Sequence, residues 1–160
     1  MQIIEYISQY DEQIKDLLVE LQNYLIDIDD WHTQVMLSEY REENFKMDMR
    51  KVNTQEGKIY LAIENNLIIG LVMGVVEEKD EIDKLTNDCA KTGSVIELIV
   101  KNNIRGNGIG KLLLEKIEKY FKSINCKRIN IEVFGPNKRG LNFYEKNGYI
   151  IRDIIVSKKI

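Results

Sequence analysis

Val95-Ile-Glu-Leu-Ile-Val-Lys-Asn-Asn-Ile-Arg-Gly-Asn-Gly-Ile-Gly-Lys111 runs directly into a stretch in which Ile109, Leu112, Leu113, Ile117, Tyr120 and Phe121 recur at helical spacing. The apolar run Ser94 to Val100 predicts a strand, and the later periodicity predicts a helix. Between them lies a turn with glycine at 106, 108 and 110. A helix opened by such a turn presents unpaired backbone N–H groups and the positive end of its dipole, which together bind phosphate oxygens. Glycine removes the Cβ atoms that would hold an anion away from those groups. Arg105 and Lys111 add positive charge at the lip, so the turn reads as a phosphate site.

Spacing narrows the ligand. A P-loop needs Gly-x-x-x-x-Gly-Lys and then Ser or Thr for magnesium. Here the residue after Lys111 is Leu112, and no magnesium ligand follows. A dinucleotide fingerprint needs Gly-x-Gly-x-x-Gly, usually in an opening βαβ unit. This chain has Gly-x-Gly-x-Gly, two-thirds of the way along.

Working outward, a strand over Gln2 to Ile7 precedes an amphipathic helix whose stripe is Ile14, Leu17, Leu18, Leu21, Leu25 and Ile28. The stripe ends in the acidic loop Asp27-Ile28-Asp29-Asp30-Trp31-His32. A second helix over Ser38 to Lys51 has a looser pattern in Tyr40, Phe45, Met49 and Val52. Lys58 to Glu64 and Leu67 to Val76 are strands joined by Asn65-Asn66, a hairpin signal. The polar stretch Glu77 to Gly93 leads to the Ser94 to Val100 strand. Beyond the glycine turn and its helix, Arg128 to Phe134 alternates as a strand and Gly135-Pro136 breaks it. A short helix over Asn137 to Asn147 and a last strand over Tyr149 to Ser157 complete a mixed α/β order in one domain, residues 1–160.

Bulk properties set the class. The chain has 160 residues, 44% hydrophobic and 31% charged, with a net charge of −3. That is a globular composition, without the basic face a nucleic-acid binder needs. Cys89 and Cys126 lack any metal or disulfide spacing. The acidic N-terminus does not read as a signal peptide, and no run approaches the roughly 20 apolar residues of a membrane span. A cytoplasmic protein without metal, membrane or nucleic-acid partners is expected.

Arg105-Gly-Asn-Gly108-Ile-Gly110 matches Arg/Gln-x-x-Gly-x-Gly/Ala, and the chain thereby resembles the GNAT superfamily of N-acetyltransferases. A second stretch, Asn137-Lys-Arg-Gly140-Leu-Asn-Phe143-Tyr144-Glu-Lys-Asn-Gly148-Tyr149, resembles the family's Asn-x-x-Ala-x-x-Phe-Tyr-Glu-Lys-x-Gly-Phe. It departs at Gly140 and Tyr149. The likeness covers roughly residues 58 to 158, and the first third by element order alone. It implies a mostly antiparallel mixed sheet of about six to seven strands, with central strands splayed and flanking helices.

The resemblance also implies an acetyl-CoA-dependent acetyltransferase acting on a primary amine. Arg105, Gly106, Asn107, Gly108, Ile109, Gly110 and Lys111 would take the pyrophosphate of coenzyme A. The backbone of Leu98, Ile99 and Val100 would pair with the pantetheine arm, and Asn137 would bond the arm or cap its own helix. Tyr144 would protonate the departing thiolate, or else pack against Leu141. Glu97, on the strand face read as shared with Val95 and Ile99, would act as general base through a water, or else form a structural ion pair. His32 is a competing base because its pKa suits the task.

Family helices of this kind line the acceptor side, where Tyr24, Asp29, Asp30 and Trp31 would attract a cationic amine or else form a solvated acidic loop. A polyamine, an aminoglycoside-like compound or a basic peptide end would fit. The alternatives are an acyl-CoA sensor or partner-docking module without turnover, and a nucleotide-binding regulator using the same turn. Oligomeric state is not written in the chain, although dimers are common in the family.

Overall fold

The computed structural model describes residues 1–88 and 90–160, so the reading of Cys89 lies outside the described residues. The element order is β1 (Gln2–Glu5), α1 (Asp11–Asp27), α2 (Tyr40–Thr54), β2 (Lys58–Glu64), β3 (Leu67–Val76), α3 (Glu81–Thr86), β4 (Thr92–Val100), α4 (Ile109–Ser123), β5 (Arg128–Ile131) and α5 (Lys138–Lys146). Single 3-10 turns precede α1 and follow β4. The strands form one sheet in the order β1-β2-β3-β4-β5. The first three pairings are antiparallel and β4 to β5 is parallel.

Sequence and structure agree on the hairpin: Asn65 and Asn66 sit at φ 50 and 62, the left-handed pair that a tight two-residue turn requires. One sheet face is covered by α1 and α2 through Ile14, Leu17, Leu18 and Phe45, packed on Leu61, Ile63, Leu71 and Met73. The other is covered by α4, whose Ile109, Leu113, Leu114, Ile117 and Phe121 pack on Ala62, Val72 and Val95. Leu114 therefore holds a core position, while Leu112, read as part of the buried stripe, is exposed. Alternate residues of β2 serve the two faces, as a strand's two-residue period demands.

The sheet has five strands, fewer than the six to seven expected. The segment read as a last strand, Tyr149 to Ser157, forms no ladder, and its apolar residues stand exposed, with Ile154 at 75% and Ile155 at 87%. Its β pattern is genuine, but a strand exists only when an edge pairs with it. β5 also stops at Ile131 rather than Phe134. The polar connection from Glu77 holds α3, started by the Asp80 carboxylate accepting from the Asp83 amide at 2.7 Å.

Phe121 lies directly on sheet backbone. A Cβ on Gly74 would approach its ring to 2.6 Å, and one on Gly93 would approach it to 2.7 Å. The fully buried ring cannot yield, so these glycines set how closely α4 approaches the sheet. Gly93→Ala is expected to destabilise the fold by about 1–3 kcal/mol through overpacking. Thermal melts of the variant should fall by roughly 2–4 °C per kcal/mol for a domain of this size; an unchanged midpoint would refute the close approach.

Candidate active site

Gly106 and Gly108 adopt φ 92 and 79, a left-handed backbone that disfavours any side chain, and nothing lies within 4 Å of where their Cβ atoms would be. The turn thus demands glycine and opens onto free space. Gly108 is the N-cap of α4, and the Leu112 amide donates to the Gly108 carbonyl at 3.1 Å. The amides of Ile109, Gly110 and Lys111 precede that bond and form the unpaired N-terminal turn. Asn107 Nδ2 donates to the Ile104 carbonyl at 3.2 Å and closes the loop. Arg105 Nε donates to the Val100 carbonyl at 2.8 Å, and its guanidinium lies 5.2 Å from the Tyr24 ring centre. Lys111 is exposed, 3.9 Å from Glu115.

Next to this turn the sheet opens. β5 pairs with β4 only from Thr92 to Val95, so the β4 edge through Leu98, Ile99 and Val100 runs on without a neighbour on that side. The central strands are splayed, as expected. Asn137 stands across the gap as the N-cap of α5, its Oδ1 accepting from the Gly140 amide at 2.9 Å and from the Tyr24 hydroxyl at 3.2 Å. A Cβ at Gly140 would come within 2.6 Å of the Asn137 amide, so this glycine leaves room for the cap. Tyr24, read as an acceptor-side residue, bridges the turn and Asn137.

Tyr144 is held edge-on between Phe143 and Tyr149, with ring centres 5.2 and 5.8 Å away. Burial, and secondarily the nearby Glu97 carboxyl, push its phenol well above the ordinary range, so it stays protonated. Tyr149 is fixed by donating to Glu118 Oε1 at 2.8 Å.

Glu97 reaches its position through a β-bulge. Val95 pairs with Gly74 and Glu97 with Met73, which leaves Ile96 as the extra residue. Val95 therefore packs under α4 while Ile96 and Ile99 face α1 and α2. The expectation that Val95, Glu97 and Ile99 share a face fails, because the bulge shifts the alternation by one. Glu97 lies on the α2 side with Ile99.

There it meets residues that sequence reading missed. Asp48 of α2 is only 3% exposed, and its Oδ2 has no hydrogen-bond partner. One turn earlier, Asn44 Nδ2 is likewise buried and unpartnered. Burial pushes the Glu97 carboxyl up to about 8, Asp48 adds to the rise, and Lys51 opposes it. Burial also lifts Asp48 to about 6. Tyr40 rises to about 12 through burial and the two carboxyls. The signal in the sequence was Asp48 three residues after Phe45, an acidic residue in an apolar stripe.

The loop after α1 is organised by Asp29. Its Oδ1 accepts from the Trp31 amide, and its Oδ2 accepts from the Thr33 amide and hydroxyl and the Gln34 amide, at 2.6 to 3.0 Å. Burial alone would raise this carboxyl, but the hydrogen bonds outweigh it and bring the pKa down to about 2. Asp29 is thus committed to its own loop, while Asp30, Trp31 and His32 are exposed. Lys159 Nζ lies 5.3 Å from the Trp31 ring centre, a cation on its face. Among the described residues, no His, Cys, Asp and Glu group could hold a metal, and no helix is long and apolar enough to cross a membrane.

A family model described as the acetyltransferase (GNAT) family matches residues 23–149. An uncharacterized N-acetyltransferase of Methanocaldococcus jannaschii is 31% identical over 97 residues, 60% of this chain and 54% of that protein. The chain thus matches about half the length of that curated relative. A mutant protein of Bacillus halodurans superposes with a TM-score of 0.85 at 20% identity over 100% of this chain and 99% of that one. An aminoglycoside N-acetyltransferase solved in complex with CoA superposes with a TM-score of 0.69 at 12% identity over 99% and 100%. At these identities the superpositions speak for the fold.

Glu97 carries a pKa raised on folding, so its stabilising contribution is complete below the unfolded value near 4.3 and lost as pH rises through about 8. Glu97→Gln should gain stability over the parent as pH climbs from 5 to 8, and the gap should level off above. Urea denaturation across that range measures it, and an equal gap at both ends would contradict the burial argument.

Proposed function

The chain belongs to the acetyltransferase (GNAT) family, and from that premise we propose that it is an acetyl-CoA-dependent N-acetyltransferase acting on a primary amine. One observation carries the reading: the open glycine turn of α4 follows the strand whose edge past Val95 is unpaired, and on that same stretch Glu97 is near enough to raise the Tyr144 phenol. The amides of Gly106 to Lys111, with Arg105, would hold the pyrophosphate of coenzyme A. Leu98, Ile99 and Val100 would pair with the amide-bearing arm, and Asn137 would bond it from the far wall once Tyr24 releases its oxygen. Acetyl-CoA supplies an activated acyl group as a thioester.

Glu97, through a water, takes a proton from the acceptor ammonium. With its pKa near 8, it mismatches an alkylamine near 10.4 far less than an ordinary carboxylate does. The neutral nitrogen then forms the C–N bond as the C–S bond breaks. Tyr144 gives its proton to the departing sulfur and regains one from the nitrogen, so its high pKa keeps the donor form available.

The acceptor reading is a cationic amine. Asp30 and Trp31 lie exposed on the loop that Asp29 orders, and Trp31 already carries the chain's own Lys159 on its face. The related fold of an aminoglycoside N-acetyltransferase points the same way. A homodimer is supported by two features open to a partner, the unpaired outer edge of β5 and the exposed apolar residues of 150–160.

Tyr144→Phe and Glu97→Gln should each lower kcat by about 10²-fold or more. Glu97→Gln should also abolish an acid limb in kcat/KM that lies near pH 8 in the parent. Thiol release with an amine panel reads both, and full turnover in Tyr144→Phe would remove the phenol from the mechanism. Sedimentation of the full chain should reveal dimers that truncation after Tyr149 dissolves; a monomer at high concentration would exclude the homodimer.

A further inference from the structure

Tyr24 of α1 is tied at both ends of its side chain to residues far along the sequence. Its hydroxyl donates to Asn137 Oδ1 at 3.2 Å, and the Arg105 guanidinium lies 5.2 Å from its ring centre. One helical turn earlier, Glu20 Oε1 accepts from the Asn102 amide at 2.9 Å, so one face of α1 reaches the loop after β4 at two points. The two ties differ in kind. Glu20 bonds backbone, whereas Tyr24 bonds side chains that have other work.

Asn137 Oδ1 is fully engaged. A carbonyl oxygen has two lone pairs, and this one accepts from the Gly140 amide at 2.9 Å as well as from Tyr24. The Gly140 amide belongs to the first turn of α5 and cannot leave without unmaking that cap. The Tyr24 hydroxyl leaves by rotation of one side chain. Any further donor to Asn137 Oδ1 therefore displaces Tyr24. Arg105 holds the other end, its Nε donating to the Val100 carbonyl at 2.8 Å while its guanidinium lies on the ring. A phosphate is a stronger partner for a guanidinium than an aromatic face is.

What Tyr24 can move lies beside it in the chain. Its carbonyl accepts from the Ile28 amide at 3.2 Å as α1 ends, and the Asp29 amide donates to the Ile26 carbonyl at 3.2 Å. The Asp29 carboxylate then gathers the amides of Trp31, Thr33 and Gln34. The last turn of α1 and the loop behind it are thus one hydrogen-bonded unit, and a shift at Tyr24 is passed on to Asp30 and Trp31.

We propose that Tyr24 is a positioning residue, a latch opened by coenzyme A, through which occupancy of the glycine turn and the β4 edge sets the acceptor loop. This rests on the coenzyme reading of the site. An amide N–H of the arm takes Asn137 Oδ1, the pyrophosphate draws Arg105, and Tyr24 loses both ties to one ligand. The last turn of α1 then carries Trp31 into the arrangement that receives the amine, so the acceptor binds after the coenzyme.

Tyr24→Phe keeps the ring beneath Arg105 and removes the hydroxyl. With that competitor gone, the Kd for CoA measured by calorimetry should fall about two- to tenfold, the worth of one hydrogen bond. Trp31 is the single tryptophan of the chain, so its emission reads the loop directly. CoA should shift that emission in the parent, and free Tyr24→Phe should already show much of the shift. A hydroxyl that merely supports the fold would instead lower the melting temperature and weaken CoA binding. An unchanged or raised Kd in Tyr24→Phe would overturn the latch alone, as would Trp31 emission that bound CoA leaves unmoved in the parent. No binding of CoA to either protein would overturn the latch and the coenzyme reading together. The full pattern without amine-dependent thiol release would uphold the latch and remove the enzymatic reading.

Discussion

The bulge in β4 is the constraint from which the site follows. By placing Ile96 as an extra residue against β3, it keeps Val95 under α4 and turns Glu97 toward α2. It also coincides with the point where β5 leaves the sheet, since the last parallel pair is Val95 with Ile131. A regular strand would have continued the ladder, and the β4 edge would have been consumed by hydrogen bonds to β5. One inserted residue therefore lies where the gap begins and turns an acid toward α2.

The walls of the gap are then held by local devices. Arg105 reaches back to the Val100 carbonyl and stacks on Tyr24, whose hydroxyl bonds Asn137 on the opposite side. Gly140 leaves the space that the Asn137 side chain fills, and Phe143 lies 3.5 Å from where a Cβ on Gly110 would stand, which ties α5 to the glycine turn. These contacts join helices distant in sequence, and they mean that Tyr24 serves the turn and Asn137 together. They also occupy the oxygens of Val100 and Asn137, so any new partner of these oxygens exchanges one hydrogen bond for another.

Legibility in the sequence followed the range of the forces involved. The Asn65-Asn66 hairpin, the glycine turn and the α4 stripe depend on neighbours three or four residues apart, and their spacing declares them. The role of Gly74 and Gly93 under Phe121 is invisible there, because it arises from packing between elements. The bulge was unreadable too: Val95-Ile-Glu-Leu-Ile is apolar at every position but Glu97, so no alternation marks a slip, and only the register against β3 reveals the extra residue. The segment 149–157 shows the converse, since its pattern is that of a strand while no edge receives it. The acidic loop looked uniform in charge, yet Asp29 and Asp30 differ completely once backbone amides converge on one of them.

α2 brings the two scales together. Its outward face is tied to α1 by Arg41, which bonds Asp16 and Glu12, and by Lys15 between Glu12 and Glu42. These pairs each contribute little on their own, and they accompany the rotation that burying Phe45 gives the helix. That rotation decides what the inner face presents: Phe45 enters the core, and Asn44 and Asp48 come with it into a setting that solvates neither. A helix chosen for packing alone would carry leucine at 48. The uncompensated carboxyl and amide instead weaken the fold there, and the Asp48 charge adds to the burial that keeps Glu97 protonated.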